Sequence, residues 1–107
     1  LYDSAPMVIR EAAVMGTPSV LVRGSCAADV VRDRENGYLC ENSPESLCSV
    51  LEEVLNDRES LQVIGQNARN TIPVPWETLM ENVVERYERL IALNKEGKLR
   101  KKFYRMV

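Results

Sequence analysis

The chain has 107 residues, 45% of them hydrophobic and 28% charged, with a formal net charge of −2. That length and balance suit one compact soluble domain with a modest core. No apolar run approaches the roughly 20 residues of a membrane-spanning helix, and no basic stretch followed by an apolar one marks a secretory leader. Three cysteines without a Cys-x-x-Cys pair, and no histidine at all, argue against a zinc centre. Cys26, Cys40 and Cys48 read as small, buried or half-buried thiols in a reducing cytosol.

Residues 1–5 read as a loop. Pro6 then suits the first position of a helix running to Met15, where a missing N–H costs nothing. Gly16 is a good C-terminal stop, and Pro18 forbids continuation. Ser19–Val22 is short, apolar and β-branched without alternation, which predicts a strand buried on both faces of a parallel sheet. Gly24-Ser25 breaks it, and Ser25 is placed to cap a second helix over Ala27–Asp33. Asn36-Gly37 signals a turn before a very short strand, Tyr38–Cys40.

Ser43-Pro44-Glu45 is a strong helix start: a cap, a proline in the first turn and an acid at the positive end of the dipole. The helix from Pro44 to about Asn56 carries an apolar stripe of Leu47, Val50, Leu51, Val54 and Leu55. A further helix over Arg58–Asn70 turns Leu61, Ile64 and Ala68 inward, and Pro73 and Pro75 interrupt it. A long helix over Trp76–Leu93 sets Leu79, Val83, Tyr87, Leu90 and Ile91 on one side, with Trp76 as a core or helix-start anchor. Lys95–Val107 is a basic helix or tail.

The charge is unevenly spread. Residues 1–94 hold 8 basic and 15 acidic residues, a balance of −7; residues 95–107 hold 6 basic and 1 acidic, a balance of +5. Such a tail reads first as a solvated end; the alternative is attraction to an anionic membrane surface, to which Phe103 and Tyr104 among the basic residues lend some weight. The expected organisation is an α/β domain over 1–92 and a basic element over 93–107. Two short strands make a poor sheet alone, and the chain starts at Leu1 rather than Met; both lead to the expectation that it is a piece of a longer protein.

The chemistry concentrates at the first helix. Asp3 lies in the loop before it and Glu11 lies eight residues later inside it, with the helix N-terminus between them. The unpaired backbone N–H groups and the macrodipole make that terminus an anion site. Carboxylates repel phosphate but accept hydrogen bonds from sugar hydroxyls. A helix start flanked by two acids therefore offers donors for a diphosphate and acceptors for both of its sugars.

This stretch resembles the E-x7-E motif of glycosyltransferase family 4 and its relatives. Glu11-Ala12-Ala13-Val14-Met15-Gly16-Thr17-Pro18-Ser19-Val20 is similar to the family's Glu-Ala-x-Ala-x-Gly-x-Pro-Val-Val. Asp33-Arg34-Glu35-Asn36-Gly37-Tyr38-Leu39 is similar to Asp-Gly-x-Asn-Gly-x-Leu, and Pro44-Glu45-Ser46-Leu47 resembles the Pro-Glu-x-Leu helix start. The Trp76–Leu90 segment looks like the closing Trp-Glu…Tyr helix, so the resemblance covers about residues 1–92.

The resemblance implies a partial Rossmann-like parallel sheet with flanking helices and a helical C-terminal section, the end of a GT-B donor domain. It implies transfer of a sugar from a UDP- or GDP-linked donor to an acceptor with retention of configuration. Glu11 matches the acid that binds the ribose hydroxyls. Asp3 matches the acid on the transferred sugar, but its side chain reaches roughly 1.5 Å less far than a glutamate. Ala5, Pro6, Met7 and Val8 occupy the turn and helix start, with the amides of Met7 and Val8 near the phosphates. After the strand the family often has Gly-Gly-x-x-Glu; Gly24-Ser25-Cys26-Ala27-Ala28-Asp29 aligns with it only loosely.

No metal and no cofactor are expected, since the nucleotide-sugar is a substrate, and no nucleic-acid partner is expected. Catalytic Arg and Lys residues and the whole acceptor domain would lie upstream, so this chain alone should not catalyse transfer. The resemblance fits a cytoplasmic enzyme of cell-envelope glycan or glycolipid synthesis, peripheral at the inner membrane face if the tail binds lipid. The reading from another class is a non-catalytic nucleotide- or partner-binding α/β module with a surface-seeking tail.

Overall fold

The computed structural model describes residues 6–98. Two compact units form, Leu1–Pro73 and Val74–Val107. In the first, helix α1 (Met7–Val14) leads to strand β1 (Val20–Val22), a 3₁₀ turn (Cys26–Val30), strand β2 (Tyr38–Cys40) and helices α2 (Pro44–Asn56) and α3 (Arg58–Thr71). The strands pair in parallel, Val20 opposite Tyr38 and Val22 opposite Cys40. This is the expected α/β arrangement of a parallel sheet with flanking helices.

Gly16 ends α1 as expected. It takes a left-handed φ of 74°, and the amides of Gly16 and Thr17 donate to the carbonyls of Ala13 and Ala12, both at 2.9 Å. Those two bonds satisfy the last carbonyls in a Schellman turn. The expected helix over Ala27–Asp33 is a shorter 3₁₀ turn, because its amides reach back only three residues: Ala28 to Ser25 and Val31 to Ala28. Ser25 does not cap it; its hydroxyl donates back to the Val22 carbonyl at 2.7 Å.

The core lies on both faces of the sheet, as the period of two dictates. Leu21 and Leu39 pack with Ile9, Ala13, Val31, Ala68 and Ile72 on one face. Val20, Tyr38 and Cys40 pack with Val50, Ile64 and Leu61 on the other. Helix α3 feeds both clusters, with Leu61, Ile64 and Ala68 inward as the pattern predicts. Strand β1 has a cluster on each face but is not fully buried: Val20 and Leu21 are half-buried and Val22 is exposed, and among the described residues β2 alone pairs along its edge. Cys40 is buried, whereas Cys26 and Cys48 are exposed, contrary to the reading of three sheltered thiols.

Helix α2 begins as read, with the Ser43 hydroxyl accepting from the Ser46 amide at 3.2 Å. Its stripe is buried along one edge only. At about 100° per residue the order round the helix is Val50, Val54, Leu47, Leu51, Leu55. Exposure climbs in that order, from 5% at Val50 to 41% at Leu47, 44% at Leu51 and 66% at Leu55. Asp57 caps α3, accepting from the Ser60 amide at 3.1 Å and the Ser60 hydroxyl at 2.6 Å.

The second unit contains helix α4 (Trp76–Lys95). It ends in another Schellman turn, with Gly97 at φ 68° and the Lys98 amide donating to the Leu93 carbonyl. No residue of α4 is buried. Trp76 is 69% exposed and is no core anchor, and Leu79, Tyr87, Leu90 and Ile91 of the predicted stripe are also exposed. Residues 99–107, most of the basic tail, lie outside the described residues.

Candidate functional site

Helix α1 starts without a side-chain cap. Pro6 stands at the N-cap with no side-chain hydrogen bond to give, and the first turn holds no acidic residue. The first amides of a helix have no partner within it, and those of Met7 and Val8 donate to no other described residue. Both side chains are about two-thirds exposed, 65% and 66%. Asp3 and Ala5, the other residues read into this site, lie outside the described residues.

Glu11 is exposed and makes no hydrogen bond or ion pair with another described residue. Ile9 and Ala13 turn α1 toward the core, and Glu11 stands about 160–200° round the helix from them. Met7 and Val8 are within about 60° of it. The carboxylate therefore shares the outward face with the two amide-bearing residues, one turn further along the helix.

The short Gly16–Ser19 connection reverses the chain between α1 and β1, so the N-terminus of α1 and the C-terminal end of β1 lie at the same edge of the sheet. In open α/β sheets that carboxyl edge is where ligands bind. A cavity of about 150 Å³ opens there. Pro6, Ile9 and Arg10 of α1 form one side, and Cys26, Ala27, Asp29 and Val30 of the 3₁₀ turn form the other. Glu11 does not line it.

Arg10 is half-buried and pairs with no carboxylate among the described residues. Its Nη1 donates to the Ile72 carbonyl at 3.2 Å, where a cation also complements the C-terminal end of α3. Sequence reasoning passed over Arg10, Cys26 and Asp29 as site residues, because the nearness of α1 to the 3₁₀ turn is not a local pattern. The one available signal was the loose match of the Gly24–Asp29 loop.

A second region of the surface is more heavily charged. The Asp33 carboxylate accepts from the Leu39 amide at 2.9 Å, from Arg23 Nη2 at 3.1 Å and from Arg34 Nη1 at 2.8 Å. Arg34 grips Glu53 with two bonds, at 2.8 and 2.7 Å. Arg23 also reaches Glu41 at 3.0 Å. Adjoining clefts of about 180 and 380 Å³ are bordered by Arg34 together with Glu53, Asp57 and Glu59. With Arg23 and Arg34 already paired and five acids around them, this region is ill suited to a diphosphate. Among the described residues no group of three or more Cys, Asp or Glu is arranged to hold a metal ion.

A parallel two-stranded sheet flanked by helices, with a bare helix terminus at its carboxyl edge, is the arrangement of a GT-B-type glycosyltransferase fragment. The solved structure of sucrose-phosphate synthase from Thermosynechococcus elongatus has the same fold, with a TM-score of 0.72 and 23% identity. The similarity covers 81% of this chain and 23% of that one, so the chain spans about a quarter of the length of that relative. No curated protein matches the chain. The family model described as glycosyl transferases group 1 matches residues 1–71. The chain belongs to that family. The match stops at the end of α3, so the likeness of Trp76–Leu90 to a closing family helix falls outside it.

Proposed function

We propose that this chain is the donor-binding part of a retaining glycosyltransferase of the family 4 kind, taking a UDP- or GDP-linked sugar. The observation that carries the reading is the uncapped N-terminus of α1 with Glu11 on the same outward face. The amides of Met7 and Val8 hold the diphosphate, Glu11 accepts from the ribose hydroxyls, and Asp3 accepts from the transferred sugar. As the donor bond breaks, negative charge grows on the leaving diphosphate. A fixed helix terminus stabilises that charge without having to reorganise.

The same proposal assigns the acceptor, and the basic side chains that complete the diphosphate site, to a part of the protein upstream of Leu1. It uses no cofactor and no metal. It extends to a cytoplasmic protein working in envelope glycan or glycolipid synthesis, with Lys95–Val107 drawn to an anionic membrane surface.

The test is calorimetric titration of UDP and GDP into the intact protein, before and after Glu11→Ala. One nucleotide should bind, and the substitution should weaken it by about 1.5–3 kcal/mol, the loss of a charged hydrogen-bond partner. Absence of binding by both nucleotides, or an unchanged affinity in the variant, rejects the donor-site reading in favour of a non-catalytic module. The tail is tested separately with vesicles: binding should require anionic lipid and weaken with salt.

A further inference from the structure

We infer that the adjoining clefts beside α2 and α3 bind a short alkyl diammonium ion, one end on the Tyr38 hydroxyl and Asp57 and the other on Glu59. Tyr38 carries the inference. It opens β2, is 3% exposed, and shares a core cluster with Val50 and Ile64. Yet its hydroxyl makes no hydrogen bond with another described residue, and no side-chain oxygen among them is both sealed in and unpartnered. The hydroxyl therefore reaches the cleft that Tyr38 lines with Arg34, Glu53, Asp57 and Ser60. A ring held in the core that ends in an unpaired phenol leaves a donor and an acceptor for a ligand.

The charge selects a cation. Arg34 spends its guanidinium on Glu53 and Asp33. Asp57 accepts only from Ser60, and neither Asp57 nor Glu59 pairs with a cation among the described residues. Burial, and after it the charges of Glu53 and Asp57, push the Tyr38 phenol up, while the opposing pull of Arg34 is the smallest influence. The cleft also adjoins the C-terminal end of α2, whose last turn has no basic residue, and a cation is favoured at such an end.

The layout selects two cations on one stem. The clefts share Arg34, Ser60 and Ile64, and each holds one unpaired acid, Asp57 in the first and Glu59 in the second. Ile64 and Val63 offer apolar surface for the alkyl stem of an ammonium ion. A cavity of roughly 150 Å³ holds the ring of benzene, so clefts of about 180 and 380 Å³ have room for a short diamine. Tyr38 pairs with Val20 at the amino edge of the sheet, whereas α1 starts at the carboxyl edge. The inference is therefore independent of the donor-site reading.

The test is titration of the intact protein at pH 7 with 1,4-diaminobutane, butylamine and 1,4-butanediol, followed by the amide resonances of Tyr38, Asp57 and Ser60. The diamine should bind, butylamine should bind about threefold more weakly for want of one exposed ion pair, and the neutral diol should leave the resonances in place. Tyr38→Phe keeps the ring and should weaken both amines about tenfold. It should not lower the urea midpoint, because the hydroxyl holds nothing in the fold. Glu59→Gln should bring the diamine down to the affinity of butylamine and leave butylamine as it was. Amines that leave those amides unmoved, a diol that binds as well as the diamine, or an unchanged affinity in Tyr38→Phe each overturns the inference. A Tyr38→Phe variant that loses stability along with affinity overturns it too, since the hydroxyl would then belong to the fold.

Discussion

Gly65 in α3 lies directly against the backbone of Gly16, the residue that ends α1. A Cβ on Gly65 would collide with the Gly16 carbonyl oxygen and come within 3.2 Å of its carbonyl carbon and 3.3 Å of Pro18 Cδ. Two helices meet here with no side chain between them. Gly65→Ala gains up to about 1 kcal/mol of helix propensity but drives a methyl into rigid backbone, an overpacking that costs about 1–3 kcal/mol. The variant should be the less stable by urea denaturation, and a gain in stability would show that the helices slide apart easily.

Neither partner in that contact announces it in the sequence. Gly65 reads as a weak residue inside an otherwise good helix, and Gly16 reads only as a stop signal. What was legible is local. Ser43-Pro44-Glu45 marks the start of α2, and Tyr38–Cys40 marks β2 to the residue. The helix between Pro6 and Gly16 was legible with Glu11 inside it. Its face was not, because the burial of Ile9 and Ala13 depends on α3, far along the chain. The leucines of α2 show the same limit from the other side: an apolar period predicts a stripe but not how wide a neighbour covers it. The bond from Arg10 to Ile72, which brings α1 and α3 together, has no pattern to read at all.

Asn36 signals a turn in sequence and serves as a clasp in the structure. It is 3% exposed. Its Oδ1 accepts from the Arg32 amide at 2.7 Å, and its Nδ2 donates to the Thr71 hydroxyl at 2.9 Å. Thr71 in turn donates to the Asn67 carbonyl, and Asn67 donates to the Glu35 carbonyl. The turn before β2 is thereby tied to the last turns of α3. Asn36→Ala leaves the part-buried Arg32 amide and the Thr71 hydroxyl without their partner and should cost about 1–3 kcal/mol in a denaturant melt. Thr71→Val, which removes the acceptor hydroxyl, should be partly non-additive with it, since both act in one network.

Arg34 is the one non-glycine residue with positive φ among those described, at 59°. The family pattern that Asp33–Leu39 resembles carries glycine at this place. Left-handed backbone costs an L-residue roughly 1–2 kcal/mol, and the exposed pairing with Glu53 and Asp33 accompanies that strain here. Arg34→Ala keeps the strained backbone and loses the pairing. Arg34→Gly loses the same pairing but releases the strain, at the expense of a freer unfolded chain. Thermal melts should rank Arg34→Gly above Arg34→Ala, and the reverse order would show that this backbone is not strained.

The same pairing sets the response to acid. Hydrogen bonds from Arg34 hold the Glu53 carboxyl below its ordinary range. Hydrogen bonds from the hydroxyl and amide of Ser60 do the same for Asp57. A carboxyl whose folded pKa is depressed binds fewer protons folded than unfolded. Its stabilisation is therefore complete above the unfolded pKa, near 4, and drains away as pH falls through the folded value. Urea midpoints should hold steady from pH 7 to about 5 and drop below about 4. Glu53→Gln and Asp57→Asn should each lower the midpoint at pH 7 and flatten that drop, because neither amide gains or loses a proton. Salt should weaken the Glu53 contribution more than that of Asp57, since one is an exposed ion pair and the other a helix cap. An acid drop unchanged in both variants would assign the pH response to other carboxylates.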